Sequence, residues 1–146
     1  MTENLGNWPV SIEIKVQWGD MDALKHVNNT VFLTWMETAR MAYFDECGMM
    51  ESFKSEKIGP ILAAIKADFL APVVYPDTIV VHTTISKIGR SSFEMGYKIM
   101  SSAKGGELVA TGSATGVMCD YSTGSSTPIS ETLRARIADL ERARLG

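Results

Sequence analysis

The stretch from Thr30 to Cys47 constrains the fold of this chain more than any other feature. It contains neither Gly nor Pro, is rich in helix formers, and is followed directly by Gly48, a typical C-terminal cap. These features predict a helix of about five turns. Its apolar residues do not fit one narrow stripe: Val31, Phe32, Leu33, Trp35, Met36, Ala39, Met41, Ala42, Tyr43 and Phe44. A helix that is apolar around most of its circumference is buried, so a sheet must wrap around it or a second subunit must cover it.

Much of the remaining chain alternates between apolar and polar residues, which predicts β-strands. The alternation from Val10 to Trp18 predicts a first strand before the long helix. Lys104-Gly105-Gly106-Glu107 predicts a tight hairpin, because the two glycines supply the positive φ angles of a type I′ turn. Gly112 and Gly116 indicate a bulge or a close approach of the backbone. The four strands predicted after Pro60 cover 61–69, 78–87, 93–99 and 108–120.

The order of these elements predicts the fold class. After a loop at 124–128, the segment 130–145 predicts a short amphipathic helix with Leu133, Ile137 and Leu140 inward and its arginines outward. Strands and helices that are segregated along the chain favour an α+β fold. A buried long helix on an antiparallel sheet of about five strands is the hot-dog arrangement. Without an internal repeat or linker, we expect one domain over residues 1–146, and the apolar helix predicts a homodimer or homotetramer.

Composition excludes several classes of protein. Apolar residues make up 45% of the chain and charged residues 21%, as in globular proteins. The net charge of -3 gives no attraction to nucleic acid or an anionic membrane. No apolar run is long enough for a membrane span, and residues 1–4 do not begin a signal peptide. Cys47 and Cys119 lack a CxxC pattern and are interpreted as reduced, buried cysteines, which predicts a cytoplasmic protein.

The loop before the long helix concentrates groups that can perform chemistry. It feeds a helix N-terminus, where unpaired backbone N–H groups and the helix dipole favour negative charge. Such N–H groups can stabilise the oxyanion that forms at a thioester carbonyl. A carboxylate in the loop can attack that carbonyl or deprotonate a water that does. The polar residues of this loop are Asp20, Asp22, Lys25, His26, Asn28 and Asn29.

The Asp-x-Asp-x-x-x-His-Val-Asn-Asn loop at 20–29, followed by Trp-Met-Glu-Thr-Ala-Arg at 35–40, resembles the 4-hydroxybenzoyl-CoA thioesterase family of hot-dog proteins. The likeness extends loosely over the chain, including the turn at 87–92. It implies an acyl-CoA thioesterase in which Asp22 is the catalytic carboxylate and the backbone N–H of Asn29 binds the oxyanion. It implies no metal or organic cofactor, and an active site at a subunit interface. Residues 26–29 also resemble the loop of plant acyl-ACP thioesterases, so an acyl-ACP substrate stays open.

Other polar residues have a structural and a functional interpretation. Asp20 is expected to bind backbone N–H groups of the loop, and Asn28 and Asn29 are natural helix caps. His26 is either a general base or a buried hydrogen-bonding residue that fixes the loop. Many relatives have glycine at position 25, so Lys25 predicts a slightly different loop path.

Further candidates for binding substrate are Glu37 on the long helix and the turn residues 90–92. Glu37 and Arg40 are three residues apart, which predicts an intrahelical ion pair, although Glu37 is also a candidate base. The residues Arg90, Ser91 and Ser92 form either a polar turn or a site for the phosphates or pantetheine of CoA.

The reaction and its rivals stay open at this stage. Asp22 acts as nucleophile, through a covalent anhydride, or as general base for direct attack by water. One rival is a hot-dog enoyl-CoA hydratase or dehydratase, and another is a non-catalytic acyl-CoA binding module.

Overall fold

The computed structural model describes residues 8–143. Within them, six strands and three helices follow the order β1-α1-α2-β2-β3-β4-β5-β6-α3, with a 3₁₀ turn at Trp18–Asp20 after β1. The strands are β1 (Val10–Lys15), β2 (Ile58–Phe69), β3 (Thr78–Ile88), β4 (Ser92–Ser101), β5 (Glu107–Asp120) and β6 (Ser125–Ser126). The helices are α1 (Asn29–Cys47), α2 (Met49–Glu56) and α3 (Glu131–Ala143).

The strands form one antiparallel sheet in the order β1-β3-β4-β5-β2, and the short β6 pairs with the end of β5. Helix α1 contributes Phe32, Met36 and Tyr43 to a core that it shares with the sheet. The predicted α+β hot-dog arrangement is therefore confirmed. None of the described helices is both long and apolar enough to span a membrane.

Helix α1 is confirmed and begins one residue before the predicted start. The side chain of Asn28 caps it by accepting a hydrogen bond from the backbone N–H of Thr30 at 2.9 Å. Gly48 ends it with φ of 92°, the left-handed conformation that glycine favours. The sheet does not cover the whole helix, because Leu33 is only half-buried and Met41 is 40% exposed. An apolar strip of α1 is thus left for a further surface.

Strand β1 is shorter than predicted and ends at Lys15 instead of Trp18. The chain leaves the sheet at Val16, whose N–H donates to the carbonyl of Asp77 at 2.9 Å. The 3₁₀ turn then begins, with the carboxylate of Asp20 accepting from the N–H of Gln17. The side chain of Trp18 is consequently 71% exposed rather than buried on the inner face.

The predicted glycine positions are confirmed. Gly105 and Gly106 have φ angles of 71° and 87° in the β4–β5 hairpin. A Cβ on Gly112 would lie 2.7 Å from the sulfur of Met36, so α1 closely approaches β5. Register shifts occur between Leu62 and Ala64 on β2, opposite Gly116, between Ile85 and Lys87 on β3, and between Ile99 and Met100 where β4 pairs with β5.

The sequence did not predict α2, and it predicted α3 correctly in outline. Leu133 and Ile137 are buried, as expected, and Leu140 is half-buried. Arg134 is not directed outward, because its guanidinium donates to the carbonyls of Gly89 and Arg90 at 2.7 and 3.0 Å. The predicted end of α3 at residue 145 lies outside the described residues.

Candidate active site

The loop between β1 and α1 is held closed by its own backbone. The N–H of Asp22 donates to the carbonyl of His26, and the N–H of Lys25 donates back to the carbonyl of Asp22, both at 2.9 Å. This turn requires a positive φ at Lys25, which is 66°. Lys25 therefore adopts the left-handed conformation that glycine favours, and the different loop path stays a prediction.

The two aspartates of the loop have different surroundings. Asp20 binds the loop, as predicted: its carboxylate accepts from the N–H of Gln17 at 2.8 Å, and its carbonyl accepts from the N–H of Asn28. Asp22 is half-buried, and its Oδ1 accepts from the N–H of Leu24 at 2.9 Å. No residue in the described part of the chain donates to Oδ2 of Asp22. One oxygen of Asp22 fixes the turn, and the other is available to a ligand as far as the described residues are concerned.

At the start of α1, the backbone N–H of Asn29 has no partner among the described residues. Asn28 uses its side-chain oxygen and its carbonyl to accept from the N–H groups of Thr30 and Val31. No acceptor among residues 8–143 faces the N–H of Asn29. Asn28 is thus the cap, and Asn29 presents the unpaired N–H that an oxyanion requires.

His26 is exposed, and its ring forms no hydrogen bond with the described residues. Its contribution to the loop comes from its carbonyl, which accepts from the N–H of Asp22. The interpretation of His26 as a buried hydrogen-bonding residue is therefore wrong, and the general-base interpretation stays a prediction.

The predicted ion pair between Glu37 and Arg40 is also wrong. Arg40 lies on the inner face of α1, where it is only 8% exposed, and its Nη1 donates to the hydroxyl of Tyr97 at 3.0 Å. Glu37 lies on the outer face and is exposed. Burial raises the pKa of the Tyr97 phenol, and the adjacent Arg40 acts in the opposite direction. Both residues lie on α1 as predicted, but Arg40 bonds to Tyr97 instead of Glu37.

An apolar cavity of about 280 Å³ lies between the second half of α1, α2 and the sheet. Glu37 and Arg40 are its charged residues. Helix α2 was not predicted as part of this cavity, although the apolar spacing of Met49, Met50 and Phe53 was a signal for it. The apolar side chains around the cavity include Met41, Phe44, Phe53, Leu62, Phe93 and Met95.

The Asp22 loop and the Arg90 turn lie at opposite ends of the sheet. The end of β1 at Lys15 pairs with the start of β3 at Thr78, whereas Arg90 follows the other end of β3. Eleven residues of β3 separate the ends by about 30 Å. The structure therefore does not bring the residues 90–92 together with Asp22 in one chain, although it places them at the same end as the cavity.

The backbone of the turn at 90–92 forms hydrogen bonds with two other segments. The carbonyl of Arg90 accepts from the N–H of Ile129, and the carbonyl of Ser91 accepts from the N–H of Met118. The side chain of Arg90 is exposed. Among the described residues, no group of three or more His, Cys, Asp or Glu side chains is placed to hold a metal ion.

Comparison with known proteins assigns the family. The model of the thioesterase-like superfamily matches residues 16–137. The chain belongs to this superfamily. Its class as a thioester hydrolase and the resemblance predicted from the loop are thereby confirmed.

Individual relatives agree with this assignment. A thioesterase from Thermus thermophilus, solved with coenzyme A and zinc, is 32% identical, with a TM-score of 0.82 over 93% of this chain and 96% of that one. YneP of Bacillus subtilis (strain 168), named provisionally as an acyl-CoA thioesterase, is 29% identical over 74% of this chain and 78% of its own. The 4-hydroxybenzoyl-CoA thioesterase of Pseudomonas sp. (strain CBS-3) is 21% identical over 68% of this chain and 73% of its own.

Proposed function

We propose that this thioesterase hydrolyses acyl-CoA and that Asp22 starts the reaction. One observation carries the proposal: a carboxylate oxygen of Asp22 and the N–H of Asn29 are both unpaired, within the described residues, in one short loop. Two relatives support the choice of substrate. YneP is provisionally named as an acyl-CoA thioesterase, and the Thermus thioesterase was solved with coenzyme A bound.

The chemistry follows from these two groups. The Asn29 N–H and the N-terminal dipole of α1 stabilise the negative charge that develops on the thioester oxygen. Asp22 either attacks the carbonyl carbon, forming an anhydride that water then hydrolyses, or removes a proton from the attacking water. In both routes the carbon–sulfur bond breaks and CoA leaves as a thiolate, which takes up a proton. His26 is a candidate base because its exposed ring lies in the same loop.

We further propose that the site is completed by a second copy of the chain. Strand β2 is an open edge of the sheet, and Ile61, Leu62 and Phe69 on it are 43%, 42% and 42% exposed. A long apolar edge strand of this kind favours pairing with another chain.

Antiparallel pairing of two β2 edges brings opposite ends of the two chains together. The first part of β2 lines the cavity with residues 60–62. The strand ends at Phe69, which contacts Phe32 in the first turn of α1. The Asp22 loop of one subunit would thus meet the cavity of the other. In this arrangement the acyl group occupies the cavity, and Arg90, Ser91 and Ser92 lie at the cavity end, where they can bind CoA.

The test is hydrolysis of a panel of short, long and aromatic acyl-CoAs by the wild type and Asp22→Asn, with CoA release followed by chromatography. We expect kcat/KM to fall by at least about a thousandfold in Asp22→Asn, because the attacking or basic carboxylate is lost. Asp20→Asn is the matched control, since asparagine keeps the acceptor for the N–H of Gln17, and it should retain most activity. Equal activity of Asp22→Asn and the wild type would refute the mechanism. Hydrolysis of the same acyl group attached to an acyl carrier protein tests the choice of carrier.

A further inference from the structure

Arg40 is a buried cation with one neutral partner. Its side chain lines the apolar cavity, and the residue is 8% exposed. A guanidinium has five N–H donors, and the hydrogen bond from Nη1 to the hydroxyl of Tyr97 uses one of them. No other described residue accepts a hydrogen bond from Arg40 or forms an ion pair with it. The remaining donors therefore lack a protein acceptor within residues 8–143.

Such an arrangement is unfavourable in a protein without a ligand. A buried charge is normally paired, because desolvation of an unpaired ion is costly. The neighbouring cavity lining is mostly methionine, leucine and phenylalanine, and an apolar side chain at position 40 would pack against it without that cost. The cation is thus poorly explained by packing, and its position beside an open cavity points to a ligand that supplies the missing acceptor.

We infer that Arg40 is a specificity-determining residue that binds an anionic oxygen at the end of the acyl group remote from the thioester. A carboxylate fits best, because it accepts two parallel hydrogen bonds from a guanidinium. This inference rests on the proposed function, which makes the cavity the acyl site. The substrate class is then the CoA thioester of an acid that carries a second acidic group.

The other polar groups of the cavity and its size agree with this assignment. The exposed carboxylate of Glu37 is hydrated, so water screens its repulsion of an anion. The hydroxyl of Tyr121 donates to the carbonyl of Pro60 at 2.7 Å. The volume of about 280 Å³ corresponds to about nine water molecules in the liquid, which suits a short chain or a single ring.

The experiment compares adipoyl-CoA with hexanoyl-CoA, which have the same chain length and differ in the distal carboxylate. We expect the wild type to prefer adipoyl-CoA, and Arg40→Met to reduce the ratio of the two kcat/KM values by about ten- to a hundredfold. Arg142→Met is the matched control, because it removes an exposed arginine of α3 outside the cavity, and it should keep the wild-type ratio. A fall of both kcat/KM values by the same factor in Arg40→Met would show a structural role and overturn the inference.

Two further measurements separate this inference from the proposed hydrolysis. The melting temperature of ligand-free Arg40→Met should equal or exceed that of the wild type, since an unpaired buried charge is removed; a marked decrease would contradict the inference. Equilibrium binding of both esters to Asp22→Asn reports on Arg40 without turnover. A preference for adipoyl-CoA that disappears in Asp22→Asn/Arg40→Met supports the role of Arg40 even if the wild type cleaves neither ester, whereas equal binding of the esters overturns it.

Discussion

At the scale of residues, Cys47 makes the stability of the folded protein sensitive to alkaline pH. The residue is fully buried at the end of α1, and burial raises the pKa of its thiol to about 11, from 9.0. The folded state therefore favours the neutral thiol. The contribution of this neutral thiol to stability is complete below pH 9 and is lost as the pH rises through 11.

We expect Cys47→Ala to lose about 1 kcal/mol less unfolding free energy than the wild type between pH 8 and pH 10. Urea unfolding with a reducing agent at both pH values measures this difference. The raised pKa of Tyr97 acts in the same direction in both proteins. Phe44→Leu destabilises the same helix without removing a titratable group, and it should keep the pH dependence of the wild type. Parallel losses in all three proteins would exclude Cys47 as a source of the effect.

Residue roles that depend on local backbone chemistry were predictable from the sequence. Asp20 and Asn28 accept from backbone N–H groups within three residues, so their roles follow from turn and cap preferences. Arg40 was assigned to the wrong partner because Tyr97 is distant in the sequence, and the spacing of Glu37 and Arg40 does not reveal which of them faces the core. The roles of Asp22 and Asn29 in catalysis stay predictions.

At the scale of elements, Glu141 is one of the polar side chains that attach α3 to the rest of the fold, together with Arg134 and Arg136. Glu141 accepts hydrogen bonds from the hydroxyls of Tyr43 and Thr84, each at 2.5 Å, and from the N–H of Ile85 at 2.9 Å. These donors belong to α1 and β3, so this side chain joins three elements. Apolar packing of Leu133 and Ile137 accompanies it.

We expect Glu141→Ala to lower the unfolding free energy by about 2–3 kcal/mol, because buried donors lose their acceptor. Asp139→Ala is the control on the same helix, since it removes an exposed ion pair with Arg142, and it should change stability by less than about 0.5 kcal/mol. Denaturant unfolding of both variants gives the comparison. Similar values for the two variants would mean that Glu141 contributes no more than an exposed ion pair and that the other contacts hold α3.

Elements whose ends are marked by cap or stop residues in the sequence were predicted better than elements whose ends depend on tertiary contacts. Helix α1 has a cap at Asn28 and a stop at Gly48, and both are visible in the sequence. Helix α2 is only eight residues long and ends at Lys57 with φ of 62°, a conformation that its sequence does not suggest. Strand β1 was extended too far because the alternation continues to Trp18, whereas the chain turns away to bond with Asp77.

At the scale of the whole molecule, the arrangement of the sheet separates the reactive loop from the cavity. Asp22 lies at one end of β3, and the cavity residue Phe93 follows its other end. An isolated chain with this arrangement should not bring Asp22 to an acyl group in its own cavity. Ala64→Glu, which places a charge on an exposed position of the β2 edge outside the cavity, should therefore yield monomers with little hydrolytic activity, as measured by sedimentation and CoA release.

Complementation between two inactive variants tests the shared site directly. Asp22→Asn lacks the carboxylate, and Met41→Trp fills the mouth of the cavity; each alone should hydrolyse acyl-CoA poorly. In a mixed dimer, the Asp22 loop of the Met41→Trp chain meets the open cavity of the Asp22→Asn chain, so one of its two sites is intact. Random pairing after co-expression should restore about a quarter of the wild-type activity. If both components of the site came from the same chain, neither chain of the mixed dimer would have an intact site, and the mixture would stay as inactive as its parents.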